Sequence, residues 1–166
     1  MALSSEMNIV NQLSNRLQEV LLDGKWVAGT NIKEQVSDLT WKEATTKLSQ
    51  LNTIADLLFH TNYYIEGVYR FFETGNLDIK DKYSFDGPEI TSEADWTNLI
   101  NKFLHDSQKL INVVNRFSNE DLNQTFVKAD YGTYLRNINV IIEHCYYHFG
   151  QIVLIKKLLK EEKTNS

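Results

Sequence analysis

Pro88 is the only proline among 166 residues. Proline stops helices more sharply than any other residue, because it lacks a backbone N–H and its ring collides with the preceding turn. The chain on either side of Pro88 is therefore free to run in long helices. Apolar residues recur at the 3.6-residue helical period in four stretches. The first is expected from about Glu6 to Leu22, with Ile9, Leu13, Leu17 and Val20/Leu21 on one face. It ends at Asp23-Gly24, where glycine is expected in the left-handed conformation that closes helices. The second runs from about Ile54 to Glu73, with a stripe of Leu57, His60/Thr61, Tyr64/Ile65, Val68 and Phe71/Phe72. Asn52 or Thr53 caps it, Asp56 completes a capping box with Thr53, and Gly75 follows its end. The third, capped by Ser92, spans about Glu93 to Phe117 with Trp96, Leu99/Ile100, Phe103, Leu110, Val114 and Phe117 on one side. The fourth, from about Tyr134 to Lys160, is apolar nearly all round, so only its ends are expected to meet water. There Lys156, Lys157 and Lys160 complement the negative end of the helix dipole.

The expected architecture is all-α: a four-helix bundle with two long connecting loops, residues 24–52 and 75–92, in a single domain covering residues 1–166. A short helix is expected after Thr40, since Thr40-Trp41-Lys42-Glu43 also fits a capping box. Long loops in a small domain are often functional, and Trp26, Trp41, Tyr83 and Phe85 in them are candidates to roof a pocket. The 17 Lys and Arg are outnumbered by 22 Asp and Glu, giving a net charge of −5 without a dense basic block, so no nucleic-acid partner is expected. A single cysteine, Cys145, cannot form an internal disulfide. The N-terminal residues show no signal-peptide pattern. The most apolar stretch, Ile138 to Leu159, carries Glu143, two His and two Lys, which a lipid-spanning helix would not tolerate. A cytoplasmic protein without a membrane partner is the expectation.

The histidines carry the chemistry. His144 and His148 stand four apart in the last helix, which puts both imidazoles on one face about one turn apart. The helix around them is apolar, and a buried imidazole without a partner costs roughly 1–3 kcal/mol. A divalent cation is one partner that answers both. His60, in the stripe of the second helix, is the candidate third ligand, and three neutral imidazoles leave one position open for water or substrate. The plain reading is a His pair and a core His that bind nothing. His105 falls off its helix stripe and reads as a surface residue, while Glu143 points about 100° away from His144. Cys145 lies in the most apolar helix and reads as inert core. Asp56, one turn before His60, either accepts its free ring N–H or simply complements the helix N-terminus. Tyr64, one turn after His60, either lines the cavity or fills core. Gln151, three residues past His148, either bonds substrate or the ligands, or is a surface residue.

The pattern of Asn52-Thr53-Ile54-Ala55-Asp56-Leu57-Leu58-Phe59-His60, followed late by His144-x₃-His148-x₂-Gln151-Ile152, resembles the DinB/YfiT-like superfamily of four-helix-bundle metalloenzymes. The resemblance covers nearly the whole chain and includes Tyr131-Gly132-Thr133-Tyr134 at the entry to the last helix and Gly150-Gln151-Ile152 after the second His. It implies one divalent metal ion, zinc or nickel, on His60, His144 and His148, and a homodimer. It also implies a thiol-dependent S-transferase type of activity on a small-molecule substrate, with a low-molecular-weight thiol as co-substrate. Metal-dependent hydrolysis by an activated water is the alternative chemistry. The rivals from other classes are a non-catalytic dimeric bundle with a structural or empty metal site, and a stress-linked partner-binding module.

Overall fold

Each long helix begins at a side chain that satisfies the unpaired N–H groups of a first turn. A computed structural model describes residues 8–164 and is all-helical, with no strand among the described residues. α1, Ile9–Gln18, is capped by Asn8 and runs on as a π-helical turn, Glu19–Asp23. The expected start at Glu6 lies outside the described residues. Gly24 does not close α1 in the left-handed conformation; it is extended at φ −80° and ψ 156°. The wide π turn brings Glu19 so close that a Cβ at position 24 would stand 2.4 Å from its Cα. Glycine is needed there for room.

The segment 24–52 is more ordered than a loop. Asn31, fully buried, caps a helix the hydrophobic period does not announce, α2 (Ile32–Ser37). α3, Trp41–Thr45, carries the expected Thr40–Glu43 capping box. Lys156 does not serve the end of its helix. It is buried, and its ammonium donates to the Gln35 carbonyl at 2.8 Å and pairs with Asp38. The Trp96 indole N–H donates to the Leu39 carbonyl at 2.9 Å, tying the segment to the core.

α4, Ile54–Thr74, has the Thr53–Asp56 capping box at one end and Gly75, at φ 79°, at the other. α5, Glu93–Asn115, is capped by Ser92, and α6 is Tyr134–Thr164. α4 packs on α5 and on α6, and α1 packs on the same two helices. Leu17, Leu58, Ile65, Trp96, Phe103 and Ile142 fill the interior between them. α4 and α5 are also joined by a buried polar cluster. The Asp106 carboxylate accepts from Asn62 Nδ2 at 2.9 Å and from Lys102 Nζ at 2.7 Å, and Lys102 also reaches Glu66. Such a pairing offsets the cost of burying the charge. The middle of α6 is less covered than its composition suggests: Val140, Tyr147 and Leu154 are 40%, 65% and 56% exposed, seven residues apart on one face.

The capping box positions the first turn of α4, and its loss is measurable. Thr53→Ala is expected to lower unfolding free energy by about 1 kcal/mol in urea denaturation, and Thr53→Ser to restore most of it. An unchanged midpoint for the alanine variant would show that packing alone starts this helix.

Candidate metal centre

The three histidines come from two helices. His60 sits on the second turn of α4, and His144 and His148 on adjacent turns of α6. Their ring nitrogens form a group whose ligand atoms all lie within 4.8 Å of one another. Nε2 of His144 is 3.1 Å from Nε2 of His60 and 3.0 Å from Nε2 of His148. His60 and His148 are 8% and 5% exposed, whereas His144 is half-buried.

The protons on these rings can be counted. His60 Nδ1 lies 3.2 Å from the Ser84 carbonyl, which can only accept, so His60 carries its proton on Nδ1. His148 Nδ1 likewise donates to Gln151 Oε1 at 2.7 Å. Both rings therefore turn bare Nε2 lone pairs toward His144. A neutral His144 has one proton, and no partner for its own buried Nδ1. One N–H cannot satisfy two lone pairs and leave its own ring satisfied. The cluster also resists taking up protons: burial, then the neighbouring imidazoles, hold His144 down at about 4. Burial lowers His60 and His148 as well, with His148 adding to the effect on His60. Three neutral imidazoles with converging lone pairs suit a divalent cation.

The segment after α4 is strapped along its exposed side. The Ile79 side chain fills the space over Gly67, where a Cβ would come within 2.6 Å. Tyr63 bonds the backbone of Lys80, and Tyr64 OH donates to Asp81 Oδ1 at 2.9 Å. Phe85 stacks on His60, with centroids 4.0 Å apart and planes 14° apart. The Tyr64 ring meets both His60 and His144 edge-on, at 5.2 and 5.1 Å. Burial, then the bond to Asp81, raise its pKa.

The other candidates sort accordingly. Asp56 does not orient His60. Its Oδ2 accepts the Thr53 N–H at 2.9 Å, and the His60 proton goes to Ser84 instead. Tyr64 lies against the rings, and Gln151 accepts from His148. Glu143 and His105 are exposed. Cys145 is fully buried, and burial pushes its thiol up to about 12. Of the four loop aromatics, Phe85 covers His60. Trp26 stands 89% exposed elsewhere, Trp41 packs on the core, and Tyr83 carries Lys82 over its ring. The sequence offered no sign of Ser84, whose contribution is a carbonyl that any residue possesses. Asp81 and Phe85 follow from the strap and not from any spacing.

Fold and site together define an all-helical protein with a three-histidine group able to hold a metal ion. The chain belongs to the family described as "Protein of unknown function (DUF1572)", whose model matches residues 15–166. No curated protein and no solved structure matches it.

The depressed pKa of His144 has a sign that can be checked. Its unfolded value is near 6.5, so between that and about 4 the unfolded chain binds the proton and the folded one does not. This source of stability is complete above about pH 6.5 and is lost as pH falls toward 4. In metal-free protein, the urea midpoint should drop across that window, and His144→Gln should flatten the drop. A His144→Gln profile parallel to the parent would remove the claim that this imidazole is held neutral.

Proposed function

We propose that this chain is a DinB/YfiT-like four-helix-bundle enzyme that uses one divalent ion, zinc or nickel, for thiol-dependent S-transfer to a small-molecule electrophile. The ion is held by Nε2 of His60, His144 and His148. The observation that carries this reading is the proton count. The Ser84 carbonyl and Gln151 Oε1 keep the protons of His60 and His148 on Nδ1, so two bare nitrogens face a third ring that cannot satisfy both. When bound, an ion on three neutral imidazoles supplies the Lewis acidity that brings a thiol to its thiolate near neutral pH, and retains an open position.

The chain's own residues do the rest. Phe85, stacked flat on His60, keeps water from that side of the ring, and the Ser84 bond fixes the ring's rotation. Gln151 does the same for His148, raising its basicity as a ligand. The only thiol in the chain is that of Cys145, and a buried thiol with its pKa pushed up to about 12 does not ionise near neutral pH. The nucleophile is therefore a low-molecular-weight thiol brought as co-substrate. A cytoplasmic setting supplies such thiols and agrees with a lone buried cysteine. The protein works as a homodimer, a reading supported by Tyr147 and Leu154, large apolar side chains 65% and 56% exposed two turns apart on α6.

Metal analysis of purified protein beside His148→Ala tests the first step. About one equivalent per chain is expected for the parent and near none for the variant, with both sedimenting as dimers. Equally empty samples after incubation with zinc or nickel would end the metal reading. For the second step, conjugation of a thiol to an activated aryl halide should proceed in loaded protein and stop on chelation. Metal binding with equal rates for loaded and chelated protein would leave a metal protein that is no S-transferase.

A further inference from the structure

A cavity of about 280 Å³ lies beside the histidines, between α4, the strap and the start of α6. Its wall toward the metal centre is Tyr64, whose ring touches both His60 and His144. Much of the remainder is apolar, with Val68, Ile79, Phe126, Val140 and Ile141 among the lining residues. Polar character enters through Tyr64 and Asp81 at one end and Tyr131 and Asn137 elsewhere.

What those polar groups still have to offer can be counted. Tyr64 has one proton and gives it to Asp81 Oδ1. Asp81 is exposed, and as a carboxylate it only accepts, so its second oxygen is left as an acceptor. Asn137 commits its amide N–H groups to the carbonyls of Tyr131 and Thr133, at 2.8 and 2.9 Å, which leaves its Oδ1, another acceptor. The ammonium groups of Lys82 and Lys128 sit over the rings of Tyr83 and Tyr131. The Tyr131 hydroxyl is the one uncommitted donor; the acceptors outnumber it, one of them is charged, and set in an apolar wall they select a compact apolar molecule carrying a hydrogen-bond donor.

We propose that this cavity binds small apolar amines, with the ammonium on Asp81 and the apolar body against Ile79, Phe126, Val140 and Ile141. That this ligand is the substrate of the three-histidine centre rests on the metal-dependent reading above; the binding itself does not. An amine seated there has its polar end beside Tyr64 and hence next to the histidines. A carboxylate in the same place would face the like charge of Asp81.

Benzylamine, benzyl alcohol and benzoate share one ring and differ in the end group, so they make the probe series. Titrated into metal-free protein and followed by 15N–1H chemical shifts, benzylamine should bind most tightly, benzyl alcohol more weakly and benzoate not at all. Shifts should map to Ile79, Val140 and Ile141. Asp81→Asn keeps an acceptor for Tyr64 and should weaken benzylamine about fivefold while leaving benzyl alcohol unchanged. Val140→Trp, at a 40% exposed rim position, should abolish binding of both. Benzoate binding as well as benzylamine, no binding up to the solubility limit, or an Asp81→Asn variant with undiminished amine preference would each overturn the proposal. The same titration in His148→Ala separates the two ideas. Binding retained there, in a protein that takes up no metal even in its parent form, would keep the amine site and discard the metal-dependent reading.

Discussion

The way three imidazoles share their protons constrains much of the surrounding structure. A ring nitrogen bearing a lone pair gains nothing from facing another lone pair, and inside a protein the loss is not made up by water. Here two such nitrogens lie 3.0 and 3.1 Å from a third. That arrangement survives only if surrounding structure imposes it, and the imposing groups are identifiable. The Ser84 carbonyl holds one ring and Gln151 the other. Ser84 is fixed because the strap preceding it is clipped to α4 at Gly67, Tyr63 and Tyr64 in turn. The strain of the converging lone pairs is thus borne by ordinary hydrogen bonds several residues away.

α4 must also be held against rotation, because a shift of one residue would turn His60 about 100° from the meeting point. Its two sides are secured differently. The His60 side is held by the strap. Asn62, about 200° round the helix from His60, reaches the buried Asp106 of α5, which also binds Lys102. Polar contacts have directional requirements that apolar packing lacks, so the cluster at Asp106 fixes a rotation that Leu58 and Ile65 alone would leave looser. At the other partner helix, Lys156 ties α6 to the segment around Gln35 and Asp38. The residues that set the geometry of the histidines are therefore largely polar and largely distant from them.

This division explains what the sequence made legible. Long helices with local signals were readable: the Thr53–Asp56 box, Ser92 as a cap and Gly75 as a stop all act within a few residues. So was the His144–His148 pair, since spacing on one helix is a local property, while His60 stood out only by its place in the apolar stripe of α4. What failed to show depends on contacts between distant parts of the chain. α2 rests on a buried asparagine cap and too few turns to display a period. Gly24 looked like a helix stop because glycine often is one, whereas its role follows from a π turn that no residue in 19–23 advertises. Asp56 was a candidate for two jobs, the helix N-terminus foremost, and that one holds because Ser84, 24 residues from His60, takes the His60 proton. Lys156 read as a partner for the helix end until α2 folded over it.

The site is not symmetric, and the asymmetry gives it a direction. His60 and His148 are buried and each is pinned through Nδ1, while His144 is half-buried and its Nδ1 has no partner. At about 100° per residue, His148 lies roughly 40° from His144 toward the interior of the bundle, and Val140, Tyr147 and Leu154 lie roughly 40–80° to the other side. Those three are the exposed apolar residues of α6. The least constrained ring thus stands at the boundary between the buried pair and an apolar outer face, and Tyr64 closes the gap toward the cavity that Val140 also lines. From the cavity side, Tyr64 and His144 come first and the two pinned rings lie behind them. A site that binds a ligand needs rigid side chains and access at one side. In this chain, the ring left without an orienting bond is the one on the accessible side.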